Sequence, residues 1–204
     1  MISVAYLFEL GEKKFWNEVY KKDQDHWIDK TVSNLTKYTC NKYGPFKNVL
    51  EVGCASGLDT FYLAEHTTQQ VIGIDIVPKA IKIAKKNLAE QPEKIQKKVI
   101  LEVGDVEALK YKDHQFDFVY SLSVLHSTDI IKSLKEIKRV LTVDGKAVIY
   151  LYLNEREHHH TYSDQDFINE AKKYFEIIKT QIKKVPSDAG GDNHTALIVE
   201  LRAN

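Results

Sequence analysis

The chain has 204 residues, 43% of them hydrophobic and 28% charged, which suits one domain with a full core and is too short for two ordinary ones. Lys+Arg and Asp+Glu number 29 each, so the formal net charge is zero, without the basic excess by which nucleic-acid binders neutralise phosphates. The two cysteines, Cys40 and Cys54, make no disulfide framework, no signal peptide is read and no apolar run reaches a membrane span; a cytoplasmic protein that binds neither membrane nor nucleic acid is expected.

In chain order, "EKKFWNEVY" and "DHWIDKTVSNLTKY" read as two N-terminal helices. Phe15, Trp16, Tyr20 and Trp27 crowd aromatic rings before the first strand, either to fasten those helices or to cover a site. "KNVLEV" is a strand, "LDTFYLAEH" a helix, "QVIGIDI" a strand and "PKAIKIAKKNLAE" a helix whose Pro78 suits its first turn. Ile81, Ala84 and Leu88 share one face of that helix, and the lysines from Lys79 to Lys98 read as its solvated side. "KVILEVGD" and "FDFVYSL" are the third and fourth strands, followed by the helix "IIKSLKEIKRVL" and the fifth strand "GKAVIYLYL". Near-continuous Val/Ile runs alternating with helices predict an open parallel sheet covered on both faces. The end differs: a helix in "DQDFINEAKKY" precedes two strands, "FEIIKTQIKKV" and "HTALIVELRA", which pair as a hairpin across "PSDAGGDNH".

Ligands of such sheets bind beyond the carboxyl ends of the strands. Four ends here carry matching chemistry. "LEVGCASG" has Gly53 for a tight turn and Gly57 for close approach, directly after a lone carboxylate, Glu51. Asp75 in "GIDI" follows Gly53 by twenty-two residues, where an acid can hold both hydroxyls of a ribose. Asp105–Val106 end the third strand and "YSLSVLHS" the fourth. Loop and acid together point to an adenosine-type cofactor. The full dinucleotide glycine pattern is missing, both Tyr-x-x-x-Lys pairs lie upstream of the loop, and no P-loop Gly-Lys-Ser/Thr follows, so NAD and nucleotide triphosphates fit poorly.

"LEVGCASG … GIDI … GDVEAL … FDFVYSLSVLHS … EIKRVLTVDGKAVIY" resembles the class I, Rossmann-like S-adenosylmethionine-dependent methyltransferases over residues 47 to 153. Ala55 stands where the family's middle glycine usually does, and "TVDGK" replaces a Pro-Gly-Gly turn. "FWNEVYKKDQDHW" is similar to the small-molecule branch that methylates thiols, thiopurines or tellurite. The resemblance implies an α/β fold with a seven-stranded mostly parallel sheet of order 3-2-1-4-5-7-6, the last strand antiparallel and helices on both faces. It implies one domain over 1–204, with a helical cap at 1–45 and a Rossmann-like core at 46–204. The implied cofactor is S-adenosyl-L-methionine, released as S-adenosyl-L-homocysteine. Its methionine part is expected against Gly53, Cys54, Ala55 and Gly57, with Glu51 toward the ammonium. Asp75 is expected on the ribose with Ile76 against the adenine, Asp105 at the adenine amino group with Val106 on the ring, and Ser121 and Leu122 beside the sulfonium.

Displacement at a sulfonium needs alignment and dryness rather than acid catalysis, and alignment alone can be worth about 7–11 kcal/mol. No dedicated catalytic residue and no metal site is assigned. Candidate substrate contacts are Trp16, Tyr20, His126 and His158; the three adjacent histidines of "HHHTY" otherwise read as a solvated loop. His194, beside Asp192 and Asn193, carries only a poor signal for the site. Cys54 reads as a small packing residue and Cys40 as core. The fourth strand lacks Asn/Asp-Pro-Pro-Tyr/Phe, which disfavours base or amide nitrogen as acceptor. The expected activity is methyl transfer to a small molecule. The alternatives are a protein or RNA methyltransferase, and an interaction domain that binds cofactor without catalysis. The residues indicate no oligomeric state.

Overall fold

The computed structural model describes residues 12–21, 31–153, 163–185 and 194–204. Trp27, His158–Tyr162 and most of "PSDAGGDNH" lie outside the described residues. Helix α1 spans Glu12–Lys21 and α2 Asn34–Tyr43; then follow β1 (Phe46–Val52), α3 (Leu58–Glu65), β2 (Thr67–Asp75), α4 (Pro78–Ala89), a single turn α5 (Glu93–Gln96) and β3 (Val99–Val103). The second part runs β4 (Phe116–Leu122), a 3-10 turn (Leu125–Ser127), α6 (Ile130–Val140), β5 (Leu141–Leu153), α7 (Asp164–Ala171), β6 (Phe175–Val185) and β7 (His194–Ala203). The strands form one seven-stranded sheet in the order β3-β2-β1-β4-β5-β7-β6. β1 to β5 pair in parallel and β7 runs antiparallel to both neighbours.

The sheet is apolar on both faces because both are covered. On one face Leu50, Val52, Ile74, Val119 and Ile149 pack under α6 and α7, whose Ile130, Leu134, Ile137 and Phe167 are fully buried. On the other face Val49, Val71, Phe118, Tyr120 and Val148 meet α2, α3 and α4. Over β5, β7 and β6 that second face has only α2 above it among the described residues. It is open there.

Three local readings differ from the sequence expectation. The second N-terminal helix begins at Asn34, with Thr31–Ser33 non-helical; the Ser33 hydroxyl accepts the Leu35 amide at 3.1 Å, so a cap sits where a continuous helix was expected. "TVDGK" belongs to β5, which starts at Leu141 directly after α6. Phe116 pairs with Leu141 while Phe118 pairs with Lys146, so the extra residues bulge out, with Asp144 at φ 61°. The lysine run is also not uniformly solvated. Lys79 donates to the Tyr20 carbonyl and Lys98 to those of Ala64 and Thr67, at 3.3 and 2.5 Å.

The connection from β3 to β4 bears Asp105 and Val106 and is clamped from α6. Arg139 donates to the carbonyls of Tyr111 (2.7 Å) and Leu109 (2.8 Å), and to the Asp113 carboxylate (2.8 Å). Glu136 holds the guanidinium with both oxygens and also accepts the Leu109 amide at 2.7 Å. This planar fork satisfies loop carbonyls that no strand partners. Arg139→Met should therefore lower the unfolding free energy by about 2 kcal/mol in urea denaturation, and Arg139→Lys should recover less than half of the loss.

Candidate active site

The carboxyl ends of β1, β2 and β4 meet around the turn Gly53–Gly57. Apolar β1 delivers the turn, and three successive amides of it point at the end of β2. Gly53 and Cys54 donate to the Ile74 carbonyl at 2.8 and 2.9 Å, and Ala55 donates to Asp75 Oδ2 at 3.1 Å. Asp75 Oδ1 takes the Val77 amide at 2.9 Å. Burial raises the Asp75 pKa and these two amides oppose the rise.

The conformation explains the small residues. Gly53 has φ 76°, and a Cβ there would lie 2.1 Å from Val124 Cγ2 in the loop after β4. Gly57 has φ 87° and caps α3, with Phe61 folded under it at 2.7 Å from a hypothetical Cβ; the chain's own Phe61 makes the close approach expected of a ligand. Ala55 and Ser123 hold φ 44° and 57°, a left-handed conformation that favours glycine. Backbone strain thus sits on both loops that face each other here. Cys54 is buried, and burial first, then the charges of Glu51 and Asp75, pushes its thiol pKa well up, leaving a packing residue.

Glu51 lies on the α3 side of β1, 3% exposed, and accepts the Thr60 hydroxyl. Asp59, in the first turn of α3, accepts the Ser33 amide at 2.9 Å. Burial first, and then the charge of Asp59, push the Glu51 pKa up to about 8 despite the Thr60 hydrogen bond. Next to it Tyr120 accepts the Thr36 hydroxyl at 2.8 Å, and its pKa is raised by burial and by Asp59. Three carboxylates, Glu51, Asp59 and Asp75, therefore surround the turn. No lysine or arginine pairs with Glu51 or Asp75 among the described residues.

The other predicted positions are distributed as follows. Ile76 is half-buried beyond β2, Asp105 is exposed with its Oδ1 accepting the Glu107 amide at 2.9 Å, and Val106 is buried. Ser121 is fully buried on the α6 side, its hydroxyl without a partner among the described residues, while Leu122 turns to the opposite face. Trp16 and Tyr20 lie on α1, which packs against α4, and neither lines the cavity described next. His126 is buried and meets the Tyr152 ring edge-on, centroids 5.4 Å apart.

That cavity, about 710 Å³, opens on the α2 side next to Leu122 and Ser123. Thr31–Leu35, Lys37 and Tyr38 form its roof, Tyr150 and Tyr152 its floor, and Lys179, Gln181, Lys183, Ile198 and Glu200 its far wall. Apart from Leu122, none of these positions is singled out by reading the sequence. A lone carboxylate in "ALIVELRA" was the available signal for Glu200. Tyr38 (3.0 Å), Lys42 (2.5 Å) and Tyr43 all donate to it, and the three donors outweigh burial to hold its pKa below the ordinary value.

Residues 50–149 match the family described as "Methyltransferase domain". Over those residues the chain is similar to that family. An ajmaline N-methyltransferase of Rauvolfia serpentina is 35% identical over 106 residues, covering 52% of this chain and 35% of that protein. A tRNA U34 carboxymethyltransferase of Aliarcobacter butzleri is 27% identical over 148 residues, covering 70% of this chain and 47% of that one. The chain spans less than half the length of the curated relatives it matches. Among solved structures, N-methyltransferase NodS of Bradyrhizobium japonicum in complex with S-adenosyl-L-homocysteine superposes with TM-score 0.72 at 18% identity, over 92% of this chain and 98% of that one. At that identity the likeness concerns the fold.

Two outcomes test this geometry. Gly53→Ala should destabilise the domain by about 3 kcal/mol, from the left-handed backbone and the Val124 overlap together. In thermal denaturation the Gly53→Ala/Val124→Ala pair should lose at least about 1 kcal/mol less than the sum of the singles. Glu51 binds its proton more tightly folded than unfolded, so its stabilising contribution is complete below about pH 4.5 and is lost as pH rises through about 8. Urea midpoints should fall across that window, and Glu51→Gln should flatten the fall.

Proposed function

We propose that the chain is an S-adenosyl-L-methionine-dependent methyltransferase acting on a small molecule. The observation that carries this reading is the electrostatics of the turn after β1. A phosphate-binding loop presents free amides. Here the amides of Gly53, Cys54 and Ala55 are engaged by Ile74 and Asp75, the Gly57 amide donates to the Cys54 carbonyl at 2.7 Å, and the carboxyl groups of Asp59, Asp75 and Glu51 ring the loop, Glu51 holding a proton near neutral pH that a cation would displace. Such a turn repels pyrophosphate and favours a ligand that brings positive charge. S-adenosyl-L-methionine, with an ammonium and a sulfonium, fits that charge and supplies an activated methyl group when bound.

In this reading Gly53, Cys54, Ala55 and Gly57 back the methionine part. Glu51, with Asp59 beside it, receives the ammonium. Asp75 keeps a second lone pair on each oxygen for the ribose hydroxyls, with Ile76 at the adenine. Asp105 and Val106 serve the far side of the ring, and Ser121 and Leu122 the reacting end. The domain covers 1–204, with residues 1–45 as a cap. Trp16 and Tyr20, on α1 against α4, cover the cofactor side rather than the acceptor; His126 acts by seating Tyr152 at the acceptor cavity. His158, outside the described residues, keeps only its sequence expectation. Leu122, Tyr150 and Tyr152 exclude water from the reacting atoms, and Ser33–Leu35 close over them. The small-molecule acceptor is supported by the cavity's size, within the range of ligand pockets, and by the named acceptors of relatives such as the ajmaline enzyme. The neutral net charge counts against an RNA acceptor.

Titration calorimetry with S-adenosyl-L-methionine is the test. Wild type should bind, and Asp75→Ala should weaken binding at least about 100-fold through two lost charged hydrogen bonds, with circular dichroism showing an intact fold. Equal binding by the variant would refute the ribose assignment. Release of S-adenosyl-L-homocysteine across thiols, amines and phenols then identifies the acceptor.

A further inference from the structure

The cavity lies on the face that α6 and α7 leave alone, and the register of the sheet gives it a direction. Leu122 pairs with Tyr150, Tyr150 with Ile198, and Ile198 with Gln181, so one rung runs from β4 across β5 and β7 to β6. Three strand spacings separate its ends, about 14 Å. Lys179 and Lys183 stand two rungs to either side of Gln181 on the same face, opposite Glu200 and Ala196, and both line the cavity.

These two lysines form no ion pair among the described residues. Glu200, the sole carboxylate of the cavity wall among the described residues, is already matched by Lys42 at 2.5 Å. Lys179 is also held in place. Tyr38 donates its hydroxyl proton to Glu200, so its oxygen accepts from Lys179 Nζ at 3.5 Å, while that ammonium sits 5.5 Å above the Tyr38 ring. The chain of donors runs Lys179 to Tyr38 to Glu200 and leaves two ammonium protons of Lys179 for a ligand. The wall beyond β4 is thus aromatic in the middle and cationic at its far end.

We propose that this cavity is the acceptor site and that it takes an elongated small molecule with an apolar or aromatic body and an anionic terminal group. The anion, a carboxylate or a phosphate, lies between Lys179 and Lys183, the body on Tyr150, Tyr152 and Ile198, and the accepting atom near Leu122 and Ser123. This placement rests on the methyltransferase reading for the Leu122 end only. The charge recognition at β6 stands on its own geometry.

Calorimetry with 4-phenylbenzoate, biphenyl-4-yl phosphate and the neutral 4-phenylbenzamide, with and without S-adenosyl-L-homocysteine, decides the matter. Wild type should bind both anions about fivefold or more tighter than the amide, as expected of two partly exposed ion pairs, and the tighter of the two identifies the headgroup. Lys179→Gln/Lys183→Gln should erase most of that preference while leaving affinity for the amide intact, and Lys97→Gln, exposed just after α5, should change nothing. Equal binding of amide and anions by wild type, or a preference that survives the double substitution, would overturn the anion subsite. Failure of S-adenosyl-L-homocysteine to bind would sink the cofactor reading instead, and the charge preference would still decide the subsite.

Discussion

The turn after β1 is folded down onto the end of β2, and most of the site's properties follow from that one contact. Three consecutive amides reach the Ile74 carbonyl and the Asp75 carboxylate, which forces φ 76° at Gly53 and φ 44° at Ala55. The same contact draws Asp75 under the loop and leaves Glu51 buried one residue before the strand's last position. With the backbone donors turned inward, the groups left around the loop are acidic and small side chains. A Rossmann-like sheet ordinarily offers amides and a helix dipole to phosphate. In this chain the fold is the same and the charge it presents is the opposite one.

A column of buried polar contacts joins this turn to α2. Asp59 takes the Ser33 amide, Thr36 bonds Tyr120, and Tyr38, Lys42 and Tyr43 converge on Glu200. Few residues of α2 are buried, among them Thr36, Thr39 and Cys40, so the helix is seated by hydrogen bonds more than by an apolar stripe. Each bond is worth little net, but an unmet partner such as Glu200 would be costly to bury. The helix roofs the cavity and also neutralises Glu200, and this double duty is what leaves the described part of the cavity's wall basic.

The strands and their order could be read from the sequence because each is a continuous Val/Ile run, and the helices after them because Ile81, Ala84 and Leu88, or Ile130, Leu134 and Ile137, recur with helical spacing. The cofactor-side positions Glu51, Gly53, Asp75 and Asp105 could be singled out because they sit at strand ends, where chain order alone places them. The acceptor cavity could not. Its residues come from α2, β5, β6 and β7, brought together only by the register between strands far apart in sequence. Period-2 alternation in "IKTQIKKV" marks Lys179, Gln181 and Lys183 as one face, yet nothing local says which face or what lies opposite. The start of α2 was misplaced for a related reason. Trp27, Ile28 and Val32 extend an apolar pattern upstream, and the Ser33 cap acts through a hydroxyl that periodicity does not register.

The two ends of the open face therefore differ in sign. Glu51, Asp59 and Asp75 lie toward β1 and β2, Lys179 and Lys183 toward β6, and the middle rung of Leu122, Tyr150 and Ile198 is apolar. On the proposed reading a cationic donor and an anionic acceptor are each drawn to their own end, and their reacting atoms are directed to the middle, between the rings. Opposite fields at the two ends also disfavour the reverse arrangement, in which each partner would meet like charge. On that reading orientation is set by the protein before any reaction begins, which is what a transfer that needs alignment more than a base requires.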